Sequence, residues 1–193
     1  MTGTCAEYAW TGDPCSELST PCRPSSTYGK CKYALCEAMQ AFCRRVGLNG
    51  AWARVFFLYG PGEHPAKLLP SMISTLLRDE VAICRHGQVA RDYLFVKDAA
   101  EALVTLVESG AEGPVNIASG RPVALGELVG AAADCLHARN RLQISSEPIV
   151  DEPLVLCGDV HRLHTELRFQ PQWDIRTAMA DTVAWWKHRL AGH

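Results

Sequence analysis

After position 32, apolar residues recur at three- and four-residue steps, at Leu35, Met39, Phe42 and Val46, the spacing of one helix face. Ser25 or Ser26 is placed to cap the start of that helix and Gly47 to end it. Residues 50–59 show a different pattern, a mostly apolar run closed by Gly60-Pro61, which predicts a buried parallel strand. Helical spacing returns over about 66–78 with Leu68, Leu69, Met72, Ile73, Leu76 and Leu77. Short strands are expected near 81–84, around Tyr93 and Phe95, and at 115–117. Asp98 and Glu101 have the form of a helix cap and its capping-box partner, opening a helix that runs to about Ser109. Further helices are expected at 125–136, 160–167 and 175–190, the last two separated by Pro171, with one strand inside 140–158. Residues 9–24, with Gly12, Pro14, Pro21 and Pro24, read as a polar loop.

Composition narrows the picture. The 193 residues are 48% hydrophobic and 21% charged, with a net charge of −2, as in ordinary globular proteins, and nothing electrostatic calls for nucleic acid or an anionic membrane as partner. No apolar run approaches the ~20 residues that a membrane span needs, and Met1 is not followed by a signal-peptide pattern. Nine cysteines, an odd number without a Cys-x-x-Cys pair, argue against a zinc site or a disulfide framework and fit reduced thiols in a cytoplasm. His161 and His164, at helical spacing, are expected to face solvent rather than a metal.

Candidate chemistry starts at Ser25-Ser26-Thr27-Tyr28-Gly29-Lys30-Cys31-Lys32. Four residues is about one helical turn, so Tyr28 and Lys32 share a face. An ammonium beside a phenol favours the phenolate and makes the pair a usable general acid/base. Upstream lies Thr2-Gly3-Thr4-Cys5-Ala6-Glu7-Tyr8, and downstream lie Arg54-Val55-Phe56-Phe57-Leu58-Tyr59-Gly60-Pro61 and Arg91-Asp92-Tyr93-Leu94-Phe95-Val96-Lys97-Asp98. In order, spacing and flanking residues these segments resemble the extended short-chain dehydrogenase/reductases, in particular the NAD-dependent epimerase/dehydratase group that modifies nucleotide sugars.

The resemblance implies an α/β fold: the back half of a Rossmann-like doubly wound domain, residues 1–62, and a small substrate-binding α/β domain, mainly residues 63–193, with segments returning to the first sheet. It implies NAD or NADP as cofactor. The glycine-rich turn that holds a dinucleotide pyrophosphate has no counterpart in these residues, since Gly60-Pro61-Gly62-Glu63-His64-Pro65 carries prolines and follows a late strand. The chain therefore reads as lacking the N-terminal dinucleotide-binding portion, with either an enzyme or a truncated, partner-dependent module as the outcome. Homodimerisation, or association through an exposed sheet edge, is expected.

Carried over residue by residue, the resemblance gives Thr4 the substrate oxygen, Tyr28 the proton, and Lys32 both the tuning of Tyr28 and the nicotinamide ribose. Lys67 and Leu68 match the segment that meets the nucleotide, and Arg91 an arginine that contacts the diphosphate, where a planar fork suits phosphate oxygens. Two departures stand out. Phe57 replaces a common asparagine, and the stretch from Glu152 to Asp159 carries no arginine where relatives have one. For the reaction, 4,6-dehydratases place a carboxylate pair or a glutamate directly after the strand-end threonine, where this chain has Cys5 and Ala6. Glu7 comes one position late, and continued strand alternation would turn it to the opposite face. Epimerase or 4-ketoreductase activity is the expectation, ahead of dehydration.

Overall fold

The computed structural model describes residues 1–150 and 152–191. Three parallel strands form the first sheet: β1 (Thr2–Thr4), β2 (Ala51–Val55) and β6 (Gly113–Ile117), in the order β1-β2-β6. Its register sets Thr4 beside Val55 and Val55 beside Ile117. A second, mixed sheet centres on β5 (Ala90–Phe95), which pairs in parallel with β3 (Phe57–Tyr59) and β9 (Val155–Leu156) and antiparallel with β7 (Pro122–Ala124). A parallel pair, β4 (Ala82–Cys84) with β8 (Leu142–Ile144), completes the strands among the described residues.

The helices are α1 (Thr27–Val46), α2 (Leu68–Leu77), α3 (Val96–Glu108), α4 (Leu125–Cys135), α5 (His161–Thr165) and α6 (Ile175–Ala191). Among the described residues no helix is long and apolar enough to cross a membrane. One core lies under the first sheet, where Ala53, Val115 and Ile117 meet Ala102, Leu106 and Leu163. Another fills the space between the second sheet and α2, α4 and α6, with Phe95, Ile73, Leu128, Met179 and Trp186. Each large side chain buried there contributes about 1.5–3 kcal/mol through surface removed from water.

The α1 boundaries follow the sequence closely. Ser26 Oγ accepts from the Gly29 amide at 3.0 Å, and Gly47 closes the helix at φ 68°, a backbone region that glycine enters without penalty. Gly29 is needed for packing, because a Cβ there would overlap the Ala6 carbonyl oxygen. Only Gly29 and Cys36 of this helix are buried, while Leu35, Phe42 and Val46 are exposed.

Three expectations are corrected. The run 50–59 is two strands, not one: at buried Phe56, whose amide donates to Ile117 O at 3.0 Å, the chain leaves the first sheet and enters the second. Asp98 is not a helix cap, because α3 starts two residues earlier, with Phe95 at the cap and no side-chain bond there. Its buried carboxylate instead accepts from the amides of Gln172 (2.8 Å) and Trp173 (3.3 Å) and anchors the loop before α6. The stretch 140–158 contributes two short strands, β8 and β9, rather than one.

Candidate active site

Thr4 ends β1 in extended backbone and caps a 3₁₀ turn, Cys5–Glu7, accepting from the Ala6 amide at 3.3 Å. The capping box is closed by Glu7, which accepts from the Thr4 amide at 2.9 Å. Strand alternation thus stops at Thr4, and the expected slip of Glu7 to the opposite sheet face does not apply. Glu7 turns inward, is fully buried, and also accepts from Trp52 Nε1 (3.0 Å) and Arg54 Nε (2.9 Å). Arg54 in turn lies 4.6 Å from the centre of the Tyr8 ring, whose hydroxyl donates to Asn116 Oδ1 at 2.8 Å. This buried network, absent from the expectations, fixes the backbone of Thr4. Its signal was in the sequence, since Thr4-Cys5-Ala6-Glu7 fits the Ser/Thr-x-x-Glu capping pattern.

Tyr28 sits in the first turn of α1 and is 57% exposed. One turn on, Lys32 donates from Nζ to the Thr2 carbonyl at 3.0 Å. That bond, together with Gly29 packed on Ala6, draws the start of α1 against β1 and the turn after it. Thr4, Tyr28 and Lys32 are therefore carried by two elements in direct contact. Beside them, burial pushes the Cys5 thiol up to about 12, which leaves it a weak acid at neutral pH.

The residues expected to meet substrate lie along the second sheet and α2. Lys67 is the exposed cap residue of α2, and Leu68, half-buried, is its first residue. Arg91 is buried in β5, with its guanidinium carbon 5.9 Å from the Phe57 ring centre. The Phe57 ring also lies 5.8 Å from that of Tyr93, tilted by 57°, so an aromatic patch occupies the position expected of asparagine in relatives. Glu63, in the loop before α2, is held up at about 7 by burial, against the pull of Lys67. A cavity of about 590 Å³ lies elsewhere, lined by Tyr59, Tyr93, Phe95, Asp98, Trp173 and Ile175 among others, and includes none of the six expected site residues.

Residues 1–118 match the model of the NAD dependent epimerase/dehydratase family. The chain belongs to that family. Among curated relatives, a dTDP-glucose 4,6-dehydratase of Streptomyces griseus is 31% identical over 193 residues, covering 97% of this chain and 56% of that protein. A dTDP-4-dehydro-6-deoxy-D-allose reductase of Streptomyces bikiniensis is 27% identical over 147 residues, covering 74% of this chain and 44% of that protein. This member of the family spans about half the length of the curated relatives it matches. Its fold is that of a UDP-N-acetylglucosamine 4-epimerase from Methanobrevibacter ruminantium, at TM-score 0.89 and 22% identity, covering 98% of this chain and 62% of that one. The α/β, Rossmann-like architecture implied by the motifs is thereby established.

Proposed function

We propose that this chain carries the catalytic and substrate-binding part of an NAD(P)-dependent sugar-nucleotide epimerase or 4-ketoreductase. The observation that carries the reading is the clamp of α1 on β1 through Lys32 and the Thr2 carbonyl, which puts the Tyr28 helix beside the Thr4 strand end. On the same reading, residues 1–62 belong to the cofactor side and residues 63–193 mainly to the substrate side, with β6 returning to the first sheet. The exposed stripe of Leu35, Phe42 and Val46 on α1, or the open edge of β1, offers a second copy a place to associate.

The residues present suit the nicotinamide end of the cofactor. The Tyr28 phenol is open to a ligand, and Lys32, with one of its three protons on Thr2 O, keeps others for ribose hydroxyls. When bound, the cofactor supplies the hydride acceptor or donor. Thr4 hydrogen-bonds the oxygen on the reacting carbon and fixes its distance from Tyr28. In oxidation, Tyr28 as phenolate takes the hydroxyl proton; in reduction, the phenol returns it to the carbonyl oxygen. Lys32 stabilises the phenolate between the two. An epimerase uses both halves in turn and a ketoreductase the second alone. Lys67, Leu68 and Arg91 hold the nucleotide and its phosphates.

The relatives' names include dehydratases, but dehydration needs an additional acid/base, and the two residues after Thr4 are a high-pKa thiol and an alanine. The reading is tested by incubating the complete enzyme with UDP-glucose and NAD, and a 4-keto sugar nucleotide with NADPH. Formation of the C4 epimer, or of the C4 alcohol with loss of NADPH absorbance, is expected. Neither product from a folded enzyme across uridine and thymidine sugar nucleotides overturns the assignment.

A further inference from the structure

The buried end of Arg91 is fixed. Nη1 donates to the carbonyls of Ala90 (2.9 Å), Pro153 (3.1 Å) and Leu154 (3.3 Å). The same backbone is stitched together by the Ala90 amide on Leu154 O at 2.8 Å and by the pairing of β5 with β9. Moving this guanidinium toward a ligand would break that junction, so a ligand must come to it. At Nη2 the position is already taken, by the Glu152 carboxylate at 2.7 Å. The two partners are unequal: the Arg91 side chain is 5% exposed, whereas that of Glu152 is 43% exposed and can turn into solvent. The other side of the fork faces Phe57, which cannot hydrogen-bond a phosphate.

We propose that Glu152 is an internal competitor for the diphosphate of the substrate. Its carboxylate holds the donor that a phosphate oxygen would take, and it must swing out when a nucleoside diphosphate arrives, because two anions cannot share one guanidinium edge without strong repulsion. Glu152 thus sets how tightly this chain takes diphosphate and discriminates against ligands that bring too little charge to displace it. The proposal rests on the reading of Arg91 as a diphosphate contact and adds the residue that opposes it.

The test is calorimetric titration of the full chain and its Glu152→Gln variant with UDP and, separately, uridine, which carries the base and ribose without phosphate. Glutamine keeps the size and one acceptor oxygen, and Glu152→Ala serves as a second variant should the first melt early. Expected is UDP binding tightened by roughly fivefold or more in either variant, with uridine unchanged. A structural role for Glu152 would give the opposite sign, since loosening Arg91 weakens binding. UDP bound more tightly than uridine, but equally or less well by the variants, overturns the competitor role and leaves Arg91 as a diphosphate contact. UDP bound no better than uridine by all three proteins overturns the reading of Arg91 and the proposal with it.

Discussion

Glu7 and Arg54 form an ion pair at 2.9 Å with side-chain exposures of 0% and 4%. The same carboxylate holds the Thr4 amide and the Trp52 indole, so one buried charge joins β2 to the turn that follows the strand end at Thr4. Removing one partner of a buried pair strands the other charge in a medium that solvates it poorly, at a cost of about 3–5 kcal/mol. Glu7→Gln is therefore expected to lower stability by that order in urea or thermal unfolding. A loss below about 0.5 kcal/mol, the level of an ordinary surface change, would mean that Arg54 is satisfied without Glu7.

Tyr28 and Lys32 are expected to separate in their effects. Tyr28→Phe removes the hydroxyl and with it the exchangeable proton, and should cost on the order of 10²- to 10⁴-fold in turnover with cofactor binding nearly intact. Lys32→Ala removes the bond to Thr2 O and the ammonium proposed to serve Tyr28 and the cofactor ribose, so both turnover and cofactor affinity should fall. Steady-state kinetics and cofactor titration of the complete enzyme distinguish the two. Unchanged turnover in Tyr28→Phe would remove Tyr28 from the proposed chemistry.

What the sequence disclosed, and what it hid, follows from the range of the interactions. The cap, length and end of α1 were legible because Ser26, Gly47 and the apolar spacing act within a few residues. The break at Phe56 was hidden, since both halves of 50–59 are apolar and only the Ile117 carbonyl, far along the chain, fixes where the strand changes sheet. Asp98 was misread because its partners, the amides of Gln172 and Trp173, lie 74 and 75 residues away. At the site, the Tyr28–Lys32 pair was readable as one helical turn, whereas the hold of Glu152 on Arg91 spans 61 residues and leaves no local pattern.

Glu63 gives the fold a pH dependence with a definite sign. Burial raises its carboxyl from 4.5 to about 7, against Lys67, and its charge in turn helps to raise Tyr93. One carboxylate oxygen is buried without a hydrogen-bond partner among the described residues. Between those two values the native state holds a proton that the unfolded chain has released, so this contribution is full below about 4.5 and is lost as pH rises through about 7. Glu63→Gln, neutral throughout, should unfold at a higher urea concentration than the parent at pH 8 and show a shallower decline between pH 5 and 8. Parallel pH profiles for the two proteins would show that Glu63 titrates as an ordinary exposed carboxylate.

The reaction type turns on what stands next to Thr4. A 4,6-dehydratase must take a proton from C5 and expel the C6 hydroxyl, two transfers beyond the one proposed for Tyr28. Ala6 carries no proton, Cys5 is held up at about 12 by burial, and Glu7 is committed to Thr4, Trp52 and Arg54 inside the fold. Freeing Glu7 for acid/base work would break the pair whose loss is expected to cost several kcal/mol, so rotation toward the substrate is closed to it. On the proposed function, hydride transfer at C4 asks for one proton at one oxygen, the role proposed for Tyr28 with Thr4. The complete enzyme, incubated with dTDP-glucose and NAD, is therefore expected to yield no 4-keto-6-deoxy product. Introducing a carboxylate pair by Cys5→Asp with Ala6→Glu is the complementary arm: if the fold tolerates it, slow dehydration should appear where the parent shows none. Accumulation of the 4-keto-6-deoxy sugar by the parent at enzymatic rates would overturn the assignment, and would require an acid/base from outside the turn that follows Thr4.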